Sequence, residues 1–310
     1  MTRTFEEIEA DDGTRLRLWR RRADAGSAVL FVHGATYPGR SVFALDADPA
    51  GESWLAACAR GGRAAYAIDL RGYGDSEAPP ELDAPPAANE PVVRADAAAD
   101  DVAAALATLL DRHERVHLVG YSWGSMVCGR LLASRAVEVV SLTQYAPVYA
   151  FPDGADDLPD DPDAYRVVTA SEVRDRWDAQ FPAGVSPSSR RDEGTVEAFW
   201  RSLRDSGQAA DRDGAPAVRA PNGTLADMAA AATGTPAYDP AAIDAPALVV
   251  RGSFDASATR ADALGLYDAL GAADDEKAYA EVAGGTHFLN LERRRTALFD
   301  LVSGFQRRYE

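Results

Sequence analysis

Lysine is almost absent from this chain. Lys277 is the only one among 310 residues, and arginine supplies the rest of the 32 basic side chains. Aspartate and glutamate together number 49, so the formal net charge is -17. Nucleic-acid binding relies on clustered lysine and arginine, so we predict no nucleic-acid partner. The same charge disfavours binding to anionic membranes.

Cysteine and long apolar runs are also scarce. Cys58 and Cys128 lie far apart and outside any CxxC pattern, which argues against a disulfide framework and a thiolate metal site. No window approaches the ~20 apolar residues that a membrane span needs. The N-terminus lacks the basic and apolar segments of a signal peptide. We therefore expect a cytoplasmic protein with no membrane partner.

The pattern of apolar runs divides the chain into three parts. Alternating residues at 5–10 and 14–21 predict a hairpin, and from residue 28 buried strands alternate with helical segments, as in a parallel sheet covered by helices. This rhythm fails between about 150 and 240 and returns after 245. We predict one α/β core formed by residues 1–149 and 241–310, with an insertion at 150–240.

Ser122 is the best candidate for a nucleophile. It lies in GYSWG, after the apolar run VHLV and before a predicted helix. A serine on a sharp strand-to-helix turn has an exposed hydroxyl, and the turn accepts only small residues two positions away on either side. Gly120 and Gly124 occupy those positions. The pentapeptide alone is a weak signal, but its context between strand and helix strengthens it.

A serine hydroxyl needs an imidazole to take its proton and a carboxylate to orient that imidazole. His287 follows the last predicted strand on a glycine-rich loop, which suits the role. His33 ends an early strand, and His113 and His117 flank the wrong end of the Ser122 strand. Asp255 follows a late strand, whereas the rival Asp153 lies in a flexible acidic run. We predict a catalytic set of Ser122, Asp255 and His287.

Attack on a carbonyl creates an oxyanion that backbone N–H groups can stabilise. We predict these donors at Trp123, which follows the nucleophile, and at Ala35 in the loop FVHGATYPG. No metal or organic cofactor is implied. The candidate substrate-binding side chains come from that loop, from the start of the insertion and from its first helical segment: Thr36, Tyr37, Tyr149, Trp177 and Phe181. For the aromatic residues of the insertion, simple packing is the alternative.

These motifs resemble those of the α/β-hydrolase superfamily. The matching segments are VHGAT (32–36), DLRGYGDS (69–76), GYSWGS (120–125), the RGSFD aspartate and the GGTHF histidine. The resemblance implies a mostly parallel eight-stranded sheet flanked by helices, with an inserted, mainly helical cap. It also implies that Asp69, Arg71 and Ser76 brace the structure rather than act on substrate.

Two further motifs resemble sites of other protein classes, but each lacks a feature that its class requires. HERVH (113–117) fits a zinc-protease pattern, but its second histidine runs into the predicted strand, so the two imidazoles cannot share one helix face. GATYPGRS (34–41) resembles a phosphate-binding loop, but Arg40 replaces the required lysine and Pro38 removes a backbone donor. We predict no metal site.

The predicted activity is cleavage of a small or medium acyl ester, with a small molecule as the substrate. GYSWGS is also similar to the corresponding segment of proline iminopeptidases, although those enzymes typically carry HGGPG where this chain has HGATYPG. Aminopeptidase, carbon–carbon bond hydrolase and lactonase activities therefore stay open. A non-catalytic small-molecule binder on the same fold is the alternative of another class.

The acidic excess has two explanations, GC-rich codon usage and adaptation to a high-salt cytoplasm. Adaptation to salt predicts that activity and melting temperature are highest near molar salt, because a strongly charged surface keeps the protein soluble there. Measuring both from low to molar salt tests this prediction. Best performance without added salt would contradict it.

Overall fold

The computed structural model describes most of the chain. The described residues are 4–21, 24–45, 52–150, 158–159 and 161–310.

An eight-stranded sheet forms the centre of the molecule, as the sequence predicts. Its strand order is β1-β2-β4-β3-β5-β6-β10-β11. The hairpin β1-β2 is antiparallel and joins β4 in the antiparallel sense, whereas all the other neighbouring strands pair in parallel. The strands are β1 (Thr4–Glu9), β2 (Arg15–Arg21), β3 (Ser27–Val32), β4 (Ala64–Asp69), β5 (Arg115–Tyr121), β6 (Ser141–Tyr145), β10 (Ala247–Gly252) and β11 (Lys277–Val282).

Helices cover both faces of this sheet. Successive side chains of a strand point to opposite faces, so Leu30 of β3 joins one apolar cluster while Phe31 joins the other. The first cluster packs under α3, α4 and α8, and the second under α1, α2 and α9. These helices are α1 (Gly39–Phe43), α2 (Trp54–Arg60), α3 (Ala95–Leu110), α4 (Trp123–Ser134), α8 (Arg260–Ala269) and α9 (Arg295–Gln306).

The end of the sequence predicts a helix from about 289 to 308, but in the structure this helix begins later. A short 3₁₀ turn occupies Leu289–Leu291, and α9 starts only at Arg295. The reason is local: Glu292, between the two elements, has an extended backbone and a side chain that bonds to Thr286.

In its described residues the predicted insertion contains three α-helices and a small sheet, and the sheet does not follow from the sequence pattern. The three helices together hold more residues than the three strands, which pair antiparallel in the order β7-β9-β8. The elements are β7 (Tyr165–Thr169), α5 (Ala170–Asp178), α6 (Glu193–Arg204), β8 (Ala209–Arg212), β9 (Ala215–Pro221) and α7 (Gly223–Ala232). We call this segment the cap; its limits at 150 and 240 stay a prediction.

Within the described ranges, every helix is too short or too polar to cross a lipid bilayer.

Candidate active site

Ser122 lies on a cramped turn between β5 and α4. Its φ of 56° and ψ of −125° are values that residues with a side chain rarely adopt. A Cβ atom on Gly120 would lie 2.5 Å from the carbonyl oxygen of Gly124, and one on Gly124 would lie 2.4 Å from that of His33. Only glycine fits at positions 120 and 124, as their spacing from Ser122 in the sequence indicated.

The structure brings Ser122, His287 and Asp255 together at the carboxyl edge of the sheet. Nε2 of His287 lies 2.9 Å from the hydroxyl oxygen of Ser122, and Nδ1 lies 2.9 Å from Oδ2 of Asp255. All three side chains are buried. With Nδ1 protonated and donating to the carboxylate, Nε2 is left as an acceptor for the serine proton. The arrangement can thus turn a hydroxyl into a nucleophile.

Backbone donors and one arginine fix the position of Asp255. Its Oδ1 accepts hydrogen bonds from the N–H groups of Ser257 at 2.9 Å and Ala258 at 2.8 Å. Arg251 on β10 donates to the carbonyl oxygens of Asp255 and Ala258. The carboxylate is therefore held both by its own acceptor bonds and through its main chain.

Two tyrosines fix the main chain of His287. The hydroxyls of Tyr121 and Tyr145 lie 3.0 and 3.1 Å from the carbonyl oxygen of His287. Burial raises the pKa of both phenols well above the ordinary value, so they stay protonated and can donate. The imidazole is thereby anchored to β5 and β6, the strands next to the nucleophile.

The loop after β3 passes directly against Ser122. A Cβ on Gly34 would lie 2.6 Å from the Cβ of Ser122, so this close approach requires a glycine. Nδ1 of the buried His33 lies 2.7 Å from the carbonyl oxygen of Gly34, and Nε2 accepts from the N–H of Leu70. Burial lowers the pKa of His33 to about 4, so the ring is neutral and Nδ1 carries its proton.

This bond also orients the predicted oxyanion donor Ala35. The carbonyl of Gly34 and the N–H of Ala35 belong to one planar peptide group and point in opposite directions. His33 therefore fixes the direction of the Ala35 N–H by holding the carbonyl. The second predicted donor, Trp123, is the first residue of α4, where helix N–H groups have no partner within the helix.

The five predicted substrate-binding residues lie in different surroundings. Thr36 and Tyr37 follow Ala35 and are buried. Trp177 is fully buried, and its ring stacks on Phe288 at 4.8 Å, so in this structure it packs the cap onto the core. Tyr149 packs beside Tyr238 with ring centroids 5.5 Å apart, and Phe181 is half-buried just after α5. Their predicted contact with a substrate stays a prediction.

The other candidates from the sequence lie elsewhere. His113 bonds to the hydroxyl of Tyr66 at 2.9 Å, whereas His117 is within β5 and bonds to Ser141 at 2.8 Å, so HERVH does not form a helix. Asp153 lies outside the described residues. In the segment that resembles a phosphate-binding loop, the backbone N–H of Arg40 donates to the carboxylate of Asp69.

The segment DLRGYGDS makes the bracing contacts that the resemblance implied. Asp69 accepts from the indole N–H of Trp19 at 2.8 Å, and Ser76 donates to the carbonyl oxygen of Asp69. Arg71 forms an ion pair with the fully buried Asp101 at 2.6 Å. These contacts hold the loop after β4 against β2 and α3.

Comparison with known proteins identifies the fold family. The model of the alpha/beta hydrolase family matches residues 29–301, which is most of the chain. The chain belongs to this family. No curated protein sequence matches it.

Solved structures similar to this α/β hydrolase include several esterases. An esterase from Exiguobacterium antarcticum is 15% identical with a TM-score of 0.64, over 98% of this chain and 100% of that one. An esterase from Rhodococcus sp. is 17% identical with a TM-score of 0.64, over 99% of both chains. A serine hydrolase involved in carbazole degradation is 14% identical with a TM-score of 0.62, over 98% of both. At these identities the likeness concerns the fold.

A buried acid that the sequence pattern does not reveal joins the cap to the loop that carries His287. Glu292 accepts a hydrogen bond from the indole N–H of Trp177 at 3.0 Å, and from the N–H of Thr286 at 3.1 Å. The Thr286 hydroxyl also donates to it. Because Thr286 precedes His287, one carboxylate links α5 of the α/β hydrolase to its predicted base. Nothing in the sequence distinguishes Glu292 from a surface acid near the start of a helix.

A second residue that the sequence pattern does not reveal, Asp227 of α7, holds Trp123, which follows the predicted nucleophile. The indole N–H of Trp123 donates to Asp227 at 3.0 Å, and the N–H of Ala95 donates to the same oxygen at 2.8 Å. Arg94 completes the set with an ion pair of 2.5 Å. The cap thus contacts both the loop of His287 and the first residue of α4.

We expect Glu292→Gln to lower the free energy of unfolding by about 1–3 kcal/mol, the usual penalty when a buried hydrogen-bond partner is lost. The new NH₂ group faces N–H and O–H donors and cannot accept from them. Urea denaturation near neutral pH measures the effect.

The matched control is Glu197→Gln on α6, because Glu197 is exposed. Burial raises the pKa of Glu292 above its ordinary value of 4.5, so the folded state binds this proton more tightly than the unfolded state. Relative to Glu292→Gln, which does not titrate, the wild type therefore loses stability as pH rises above 4.5, and the penalty of about 1–3 kcal/mol near neutral pH is what remains after that loss. Equal stability of variant and wild type across this range would contradict the assignment.

Proposed function

We propose that this α/β hydrolase is a serine hydrolase that cleaves a small or medium acyl ester through an acyl-enzyme intermediate. The observation that carries the proposal is the pair of 2.9 Å contacts that link Ser122 to His287 and His287 to Asp255. Catalysis by such a set depends on this geometry and not on the position of the residues in the sequence.

In the acylation step, the hydroxyl oxygen of Ser122 attacks the ester carbonyl while Nε2 of His287 takes the hydroxyl proton. Asp255 stabilises the imidazolium by accepting from Nδ1–H. The N–H groups of Ala35 and Trp123 bind the oxyanion, and one such donor contributes on the order of 10²–10³ in rate. Collapse of the intermediate breaks the bond to the alcohol oxygen, which leaves with the proton from His287.

Deacylation repeats these steps with water in place of serine. His287 takes a proton from the water, the resulting hydroxide attacks the acyl carbon, and the carboxylic acid product leaves as Ser122 recovers its proton. The chain's own groups supply every proton transfer, so the proposed mechanism uses no metal or organic cofactor.

The surroundings of the site favour an ester over a peptide with a free amine. The guanidinium groups of Arg166 and Arg176 both approach Thr36, next to the predicted oxyanion donor Ala35. Their positive charge disfavours an ammonium group there, which an aminopeptidase substrate would carry. Lactone and carbon–carbon bond hydrolysis would use the same three side chains, and no described contact favours them over ester cleavage.

We expect Ser122→Ala to lower kcat/KM for p-nitrophenyl butyrate by about 10⁵, as other triads do when they lose their nucleophile. The loss follows because alanine has no atom that can attack the carbonyl. Ser134→Ala is the matched control, because Ser134 is exposed at the far end of the same helix.

Retention of most turnover by Ser122→Ala would end the assignment. Treating the same proteins with a fluorophosphonate separates a hydrolase from a non-catalytic binder. The hydrolase proposal requires covalent labelling of wild type and Ser134→Ala but not of Ser122→Ala. An unlabelled wild type would support the binder.

We expect p-nitrophenyl acetate and p-nitrophenyl butyrate to be hydrolysed faster than proline-p-nitroanilide. The reason is the positive charge beside Thr36. Side-by-side measurement of kcat/KM on the three substrates checks this order. A faster anilide reaction would overturn the preference for esters and favour the aminopeptidase.

A further inference from the structure

Two arginines of the cap converge on one oxygen atom beside the predicted oxyanion loop. Nη2 of Arg166, on β7, donates to Oγ1 of Thr36 at 2.5 Å. Nη1 of Arg176, on α5, lies 3.5 Å from the same atom. The two positive charges are therefore close neighbours, although they come from different elements.

Neither charge has a counter-ion in the part of the chain that the structure describes. Within the described residues, no carboxylate oxygen lies within 4.0 Å of Arg166 or Arg176. Four other cap arginines do have acidic partners: Arg174 with Glu193, Arg191 with Asp178, Arg212 with Glu172, and Arg219 with Asp83.

The partners of Arg166 are neutral instead. Its Nη1 donates to Oδ1 of Asn222 at 2.6 Å and to the carbonyl oxygen of Pro221 at 3.2 Å. Burial lowers the pKa of Arg166, and the charge of Arg176 acts in the same direction. Arginine remains protonated under such conditions. Among the described residues, this partly desolvated charge therefore has neutral hydrogen-bond acceptors but no counter-ion, and a bound anion would stabilise it.

Both arginines have N–H groups to spare. Arg166 uses three of its five N–H groups in the bonds above, and Arg176 uses one, counting acceptors within the described ranges. The buried Tyr37 adjoins the same donors, and the Arg176 guanidinium lies 5.8 Å from its ring. Paired guanidinium donors fit the two oxygens of a carboxylate.

This group of donors lies near the predicted reaction centre. A Cβ on Gly34 would be 3.2 Å from the Ser122 hydroxyl oxygen, and Thr36 is two residues further along the loop. Two residues span at most about 7 Å. An anion bound beside Thr36 would therefore lie next to the loop that adjoins Ser122, where one substrate can present both its carboxylate and its ester carbonyl.

We propose that Arg166 and Arg176 form a subsite for a carboxylate carried by the ester substrate. This inference rests on the ester hydrolase function proposed above and narrows its substrate class to anionic esters. The net charge of -17 repels a free anion at long range. Two neighbouring cations without a counter-ion among the described residues offset that repulsion at the site itself.

Two matched substrate pairs locate the carboxylate. On the acyl side, p-nitrophenyl hydrogen glutarate is compared with p-nitrophenyl pentanoate, which has the same chain length and no charge. On the alcohol side, 4-(butanoyloxy)benzoate is compared with phenyl butanoate. In each pair kcat/KM is corrected for spontaneous hydrolysis, and the ratio of anionic to neutral ester is taken for each variant.

We expect Arg176→Gln to lower this ratio at least about tenfold in one of the two pairs, because a hydrogen bond to a charged group is lost. Arg176 is exposed, so its replacement spares the core. Arg176→Lys keeps the charge and should restore part of the ratio. Arg174→Gln, on the same helix but paired with Glu193, is the control and should leave the ratio unchanged.

Calorimetric titration with glutarate tests the subsite independently of turnover. Binding to wild type and Arg174→Gln but not to Arg176→Gln supports the proposal. Unchanged ratios in both pairs, or glutarate binding that Arg176→Gln does not weaken, would overturn it. If none of the esters is hydrolysed, the hydrolase proposal fails, and the titration alone decides whether the subsite exists.

Discussion

The structure of the site depends on three segments of main chain that approach more closely than side chains would allow. The loop after β3, the end of β5 and the start of α4 meet at Ser122, and a Cβ on Gly34, Gly120 or Gly124 would lie 2.4–2.6 Å from a neighbouring atom. This crowding holds Ser122 at a positive φ. It also fixes the loop of Ala35 beside the hydroxyl, so the predicted nucleophile and the predicted oxyanion donor are positioned by one constraint.

Much of the core could be predicted from the sequence, because buried parallel strands appear as continuous apolar runs. The carboxyl ends of parallel strands meet at one edge of a sheet, so residues after β5, β10 and β11 were expected to be neighbours. The structure places Ser122, Asp255 and His287 accordingly. The small cap sheet was not anticipated, because its central strand β9 is APAVRAP, and proline within a central strand argues against that assignment.

The residues that support the site could not be found this way. Glu292, Asp227, Arg166 and Arg176 act through partners more than 100 positions away or through the packing of the cap on the core. In a chain so rich in arginine and acids, no local pattern distinguishes a buried charge from a solvated one. Their roles follow from which groups surround them, and that depends on the folded arrangement of the cap.

Through its hydrogen bonds, the carboxylate of Glu292 connects the cap to the loop that carries His287. Trp177 of α5 is bonded to Glu292 and stacked on Phe288, and both partners adjoin the loop that carries His287. A displacement of α5 would therefore either break these contacts or move the loop as well. The position of the cap and the alignment of the predicted base His287 are therefore coupled through these contacts.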